Sequence, residues 1–270
     1  MTVALLARDP AQGDSAVLEP SAVRMMLLIE YDGTRYAGSQ VQDNASTIQS
    51  ELERALRALT CETVRVSFAG RTDAGVHAHG QVVSFTTAAV LDAKAFINGL
   101  NHYLPEDIAV RFAGSVASDF DPRRHAVRRE YEYFILNSDS RSALWRNRAY
   151  QVPGKLDIAA MNQAASLLVG EHDFILFASG VDDPQMSTVR RMYEAAVRRE
   201  ADMVIVRLVA NAFLPHQVRN TVGTLLRVGR GKMTPAAFQG IINVREFGLA
   251  GPCVPACGLY LKKVYYANNL

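Results

Sequence analysis

The sequence predicts an α+β protein: two ferredoxin-like βαββαβ units sharing one extended, mostly antiparallel sheet with helices on one face. Three observations predict it. The first half reads strand, helix, strand, strand, helix, strand. The second half repeats that order with one helix added. Between Phe68 and Phe85, two alternating apolar runs flank a polar, glycine-rich centre, the pattern of half-buried strands around a loop.

Residues 1–23 lack a sustained period and read as a loose, dispensable leader. The first unit is expected over residues 24–120. Met25 to Tyr31 is short and apolar, a strand that Asp32-Gly33 ends with a turn. Ser46 and Gln49 have capping-box spacing, and Ile48, Leu52, Leu56 and Leu59 follow at helical spacing. Thr63 to Phe68 and Gln81 to Thr86 are the next strands. Gly70, Gly75 and Gly80 between them allow backbone shapes that a side chain forbids. Arg71, Thr72, Asp73, His77 and His79 are therefore expected on the connecting loop, and a rigid scaffold presenting a polar loop is a common place for chemistry. Asp92 caps a helix with Phe96, Ile97 and Leu100 on its buried face, Pro105 closes that segment, and Ile108 to Phe112 is a strand.

The second unit is expected over residues 121–270. It opens on Asp121-Pro122 and a basic cluster of Arg123, Arg124, His125, Arg128 and Arg129. Such a run suits a solvated linker or a strip that contacts phosphates. Glu130 to Leu136 alternates, with Tyr131, Tyr133 and Ile135 on one face. Asp157 caps a helix bearing Ile158, Met161, Ala165, Leu168 and Val169, which Gly170 stops. Thr188 to Val197 and Met203 to Leu208 form a hairpin around Glu200-Ala201-Asp202. His216 to Val228 is helical, with Val218, Val222, Leu225 and Leu226 inward. Thr234-Pro235 starts the extra helix, and Tyr260 to Tyr266 is the last strand.

The net charge of +2 hides an asymmetry. Residues 1–120 carry 9 basic and 14 acidic side chains, a net −5, and residues 121–270 carry 20 and 13, a net +7. The basic set is 24 Arg against 5 Lys, and the planar guanidinium suits phosphate and base edges. Three cysteines, Cys61, Cys253 and Cys257, make no disulfide framework and fit a reducing compartment. Cys253-x3-Cys257 lacks the further ligands that a structural zinc site needs nearby. No stretch is long enough to span a membrane, and the N-terminal apolar run is too short for a signal peptide. A cytoplasmic location is expected.

Asp73 is the residue on which a functional reading turns. Taken alone, Thr72-Asp73-Ala74-Gly75 is a turn in which Asp bonds its own backbone, or a carboxylate presented beside Arg71 for chemistry. The contiguous stretch Gly70 to Ala78, GRTDAGVHA, resembles the signature of the tRNA pseudouridine synthase A family, in which the Asp is the catalytic nucleophile. Arg129-Glu130-Tyr131-Glu132-Tyr133 resembles that family's Arg-x-Tyr-x-Tyr strand, with Glu130 where many members carry a basic residue. Ala210-Asn211-Ala212-Phe213 with His216-Gln217-Val218-Arg219-Asn220 resembles its third block, and Gly258-Leu259-Tyr260-Leu261 its closing strand. Tyr31 to Gln42 resembles its strand-exit loop, with Ser39 where the family has Trp.

The resemblance implies the pseudouridine synthase fold and the conversion of uridine to pseudouridine on the 3′ side of the tRNA anticodon stem-loop. It implies Asp73 as the catalytic residue, Tyr131 as the aromatic wall against the target base, Arg219 as the partner of the carboxylate, and Leu261 among the apolar groups lining the site. Arg71 is either a phosphate contact or a support for the loop. Arg123, Arg124, Arg128 and Arg129 are the candidates for the RNA backbone. The reaction involves no redox change or phosphoryl transfer, so no cofactor is expected, and the chain carries no P-loop or dinucleotide fingerprint. The family's members act as homodimers, which is the expectation here.

Two rival readings stand beside this one. A zinc hydrolase would use His77-x-His79 with Asp73, since that spacing puts two imidazoles on one face of a strand. The other four histidines, His102, His125, His172 and His216, are scattered singly. A non-catalytic RNA-binding module would use the paired units as an RNA platform, although the aromatic strand of the common RNA-recognition fold is absent.

Overall fold

A computed structural model describes residues 22–180, 185, 187–242 and 250–267. Most of the expected leader, residues 1–21, lies outside these. The elements of the first half are β1 (Val23–Tyr31), α1 (Ile48–Thr60), β2 (Ser67–Phe68), β3 (His77–Thr87), α2 (Ala93–Tyr103) and β4 (Ile108–Ser115). Those of the second half are β5 (Ala126–Leu136), β6 (Tyr150–Gln151), α3 (Ile158–Ser166), β7 (Gly170–Asp173), β8 (Val189–Glu200), β9 (Met203–Ala210), α4 (Gln217–Gly229), α5 (Pro235–Ile242) and β10 (Leu259–Tyr266).

All ten strands join one sheet in the order β4-β1-β3-β10-β5-β9-β8-β7, with β2 on β3 and β6 on β5. The pairing is antiparallel except for β6 on β5 and the short contact of β10 with β3. That contact, Tyr260 opposite His77 and Leu261 opposite Ala78, joins the first half to the second. It also aligns three strands, because Leu261 faces Tyr131 on its other side. The N-terminal end of β3, the middle of β5 and the start of β10 therefore meet where the loop before β3 emerges.

Local chemistry sets the helix starts. The side chains of Asp92 and Asp157 accept from the N–H groups of Ala95 and Ala160 at 2.7 and 2.9 Å, capping α2 and α3. The cap of α1 is Thr47, one residue after the expected Ser46. Its hydroxyl accepts from Ser50 N–H while the Ser50 hydroxyl accepts from Thr47 N–H, a closed capping box. Phe96, Leu100, Met161, Val222 and Leu225 then enter one buried cluster with Leu27, Phe85, Tyr133 and Ile135 of the sheet. The other face of β5 carries Glu130 and Glu132, which are covered by Arg207, Tyr265, Arg198 and Lys262.

Several elements and boundaries differ from the sequence reading, among them β5, which begins at Ala126, and β6, an unexpected short strand. The alternation of Val64, Val66 and Phe68 is a burial pattern, but only Ser67 and Phe68 pair with β3. β3 begins at His77, so His77 and His79 stand on a strand rather than a loop. β7 is an additional edge strand. Val169 is 47% exposed, because α3 ends at Ser166 before reaching it. Among the described residues no helix is long and apolar enough to cross a membrane.

Candidate active site

The loop from Ala69 to Val76 is tied down along its length. Arg129 Nη2 donates to the Ala69 carbonyl at 3.1 Å, and Gln81 Nε2 to the Gly70 carbonyl at 2.8 Å. Thr72 is held at every polar atom. Its N–H donates to the Ser39 hydroxyl at 2.9 Å, its carbonyl accepts from Ser39 N–H at 3.0 Å, and its hydroxyl meets the Tyr31 hydroxyl at 2.8 Å. Burial pushes the Tyr31 phenol up to about 12, so it stays protonated as part of this tie. The approach of the Ser39 segment requires Gly38: at φ +106°, a Cβ there would lie 2.8 Å from the Thr72 carbonyl oxygen. Val76 N–H closes a turn on the Asp73 carbonyl, with Gly75 at φ +76° inside it.

This framework leaves the Asp73 side chain 38% exposed in a cleft of about 420 Å3. Arg219 reaches it from the first turn of α4. Its Nη1 donates to Asp73 Oδ2 at 3.0 Å, and its Nε donates to the Val254 carbonyl at 2.8 Å. Two arms of one planar guanidinium are thus spent on fixing its plane and on the carboxylate. His216 adds a second contact, with Nε2 3.4 Å from the same Oδ2 and Nδ1 2.6 Å from the Ser179 hydroxyl. It stands at the start of α4 with φ 58°, a left-handed backbone that turns the chain into the helix. Sequence reasoning placed His216 in a motif but gave it no role. The available signal was its position three residues before Arg219 at a helix start, which puts both on one face.

Tyr131 forms one wall. It is 8% exposed and packs edge-on against Phe213, with ring centroids 5.1 Å apart. Burial, helped by the nearby Tyr31 and Asp73, raises its pKa well above the ordinary phenol value, so the hydroxyl is neutral at physiological pH. Leu261 is fully buried beneath this level, and the apolar wall of the cleft is formed by Leu259 instead. Positions 259 and 261 share a face of β10, but Leu261 lies between Ala78 and Tyr131 and is covered by its neighbours.

The basic candidates separate in the structure. Arg71 and Arg123 line the cleft and are exposed. Arg124 and Arg128 are exposed outside it, Arg128 lying 4.4 Å over the Tyr193 ring. Arg129 is 9% exposed, and its two Nη atoms donate to four backbone carbonyls, those of Ala126, Asn211, Ala69 and Arg123. Those bonds turn it from a free phosphate ligand into a brace between β5, the Asp73 loop and the basic turn. Arg190, which the sequence did not single out, also reaches the cleft. Among the described residues, five arginines and one carboxylate line it, a setting for a polyanion.

His77 and His79 do not join Asp73. They line a separate cleft with Glu30, Asp32 and Arg148. His77 Nδ1 accepts from Gly33 N–H at 3.1 Å, and Nε2 donates to the Asn147 carbonyl at 2.9 Å. Its ring stacks on Tyr260 at 4.6 Å. Among the described residues no group of three or more His, Cys, Asp or Glu side chains is placed to hold a metal ion, so the ligand set of the zinc-hydrolase reading is not assembled.

A mixed, mostly antiparallel sheet presents Asp73, among the described residues, in an arginine-lined cleft of an α+β protein. The family model for tRNA pseudouridine synthase matches residues 27–123 and 164–267. The chain is 44% identical over 247 residues to tRNA pseudouridine synthase A of Myxococcus xanthus, covering 91% of this chain and 93% of that protein. It is 42% identical to the protein of the same name from Geotalea daltonii, covering 89% and 98%, and 42% identical to that of Geobacillus kaustophilus, covering 91% and 95%. The chain belongs to the tRNA pseudouridine synthase family.

Proposed function

We propose that this protein converts uridine to pseudouridine in the anticodon stem-loop of tRNA, with Asp73 as the catalytic carboxylate. The observation that carries this reading is the Arg219–Asp73 contact within a cleft whose lining includes four further arginines, Tyr131 and Phe213. The reaction breaks the N-glycosidic bond, turns the uracil and joins C5 to the sugar, while the proton on C5 leaves and N1 gains one. No atom is lost and no electron is exchanged with a partner, so the chemistry calls for no cofactor.

Asp73 acts as nucleophile toward the sugar or as base at its 2′ position, and either role needs the ionised form. Arg219 holds the carboxylate in place with a charge-assisted hydrogen bond. A uridine drawn out of its stack needs a flat wall, which Tyr131 supplies with Phe213 behind it. Arg71 and Arg123 at the mouth suit the phosphates of the entering strand. The reading includes action as a homodimer in the cytoplasm, and a division into two units near residue 121, the second adding β6, β7 and α5 to the order of the first.

The test is base composition. Unmodified tRNA is incubated with the protein without metal or cofactor, digested and assayed for pseudouridine, with Asp73→Asn alongside. The expected result is pseudouridine from the natural protein alone, with tRNA binding retained by the variant. No product from either, with tRNA still bound, would favour a binding module.

A further inference from the structure

Arg190 is a cleft arginine with a buried, unbonded N–H and no carboxylate partner among the described residues. It stands near the start of β8, opposite His172 of β7, and its side chain reaches the wall that holds Asp73, His216 and Arg123. Its Nη1 donates to the Ser187 and Val189 carbonyls at 2.6 and 2.7 Å, which fixes the guanidinium against its own strand. Its Nε is buried and has no hydrogen-bond partner. No carboxylate of the described residues pairs with it, whereas Arg219 has Asp73 and Arg129 has four carbonyls. Burial lowers its pKa from the ordinary guanidinium value.

Partly removing a guanidinium from water without an anion carries a cost, and burying its Nε–H unbonded adds to it. A protein tolerates this where a ligand brings the missing charge. We propose that Arg190 is a further substrate-binding residue, held in place to receive a phosphodiester of the RNA strand that enters the Asp73 cleft. A phosphate oxygen suits it on three counts: it is anionic, it accepts bonds, and the cleft already carries the fields of Arg71 and Arg123. The fixed Nη1 pre-orders the group, so binding spends little side-chain entropy. The proposal rests on the reading of this cleft as the uridine site.

The experiment compares the natural protein with Arg190→Gln and Arg190→Lys. Equilibrium binding of unmodified tRNA is measured at several salt concentrations, with steady-state turnover and melting temperature. For Arg190→Gln the expected result is affinity weaker by about tenfold and a log Kd against log salt slope shallower by about one. The melting temperature and kcat at saturating tRNA stay near those of the natural protein, and Arg190→Lys recovers part of the affinity. A stem-loop carrying one neutral methylphosphonate linkage beside the target uridine identifies the phosphate. At one linkage position the natural protein loses affinity and Arg190→Gln loses nothing further.

An unchanged salt slope and affinity in Arg190→Gln would overturn the proposal. So would a lowered melting temperature with kcat reduced and the salt slope unchanged, which marks a structural tie. If the natural protein makes no pseudouridine while Arg190→Gln still loses slope, the proposed reaction fails and the phosphate site stands.

Discussion

The Arg219 guanidinium and the Asp73 carboxylate meet at 3.0 Å across 146 residues of chain, one on the first turn of α4 and the other on the loop before β3. Nothing local joins them. The parallel contact of β10 with β3 and the antiparallel one of β10 with β5 bring their strands together. The Val254 carbonyl, just before β10, then sets the guanidinium plane.

Arg219→Lys tests what that planarity contributes. A lysine carries one charge on one nitrogen and cannot serve Val254 and Asp73 in the same fixed geometry. Removal of a preorganised charge-assisted contact from an active site commonly costs about 100-fold or more in kcat. Arg219→Lys is expected to lose about 10- to 100-fold in kcat, and Arg219→Ala more, with KM for tRNA changing less than kcat. Single-turnover pseudouridine formation reads this directly. A variant with natural kcat and a raised KM would mean that Arg219 binds RNA rather than tending Asp73.

The sequence revealed the helices and their caps well, because Asp92 and Asp157 act through N–H groups three residues away. It misplaced the start of α1 by one residue, since Ser46 and Thr47 are both able caps and only the Ser50 hydroxyl decides between them. Alternation from Val64 to Phe68 reports burial and not pairing, so β2 came out too long. The early start of β3 was hidden because its partner there, β10, is about 180 residues downstream. Asp73, Tyr131 and Arg219 were singled out by motif resemblance rather than by periodicity, while Arg129 as a brace and Arg190 as an uncompensated charge depend on long-range partners, or the lack of them, that no local pattern encodes.

Ser39→Ala tests the clamp on the residue before Asp73. Ser39 is 1% exposed, and its hydroxyl is the acceptor for Thr72 N–H. Alanine leaves that buried N–H unbonded, at a cost of about 1–3 kcal/mol. The melting temperature should fall by several degrees. Well below it, kcat should drop with little change in KM, because the loop still folds but aims Asp73 less narrowly. The effect should also be less than additive with Arg219→Lys, since both act through the position of one carboxylate. Full kcat in a destabilised protein would confine Ser39 to the fold.

His77 predicts a pH dependence of stability separate from the active site. Burial holds its pKa below the ordinary histidine value, only partly opposed by Asp32 at 3.2 Å. The neutral ring fits its bonds, Nδ1 accepting from Gly33 N–H and Nε2 donating to the Asn147 carbonyl. As pH falls below about 6.5, the unfolded chain takes up a proton that the folded protein refuses. Stability is therefore complete above that pH and declines as pH falls toward the depressed folded value. His79 adds in the same direction, its pKa lowered by burial and then by Lys262. Melting temperatures between pH 7.5 and 5.5, a window above the range in which most carboxylates titrate, should drop more steeply for the natural protein than for His77→Asn. Equal slopes would mean that His77 takes up its proton in the folded state, with Asp32 as its counter-ion.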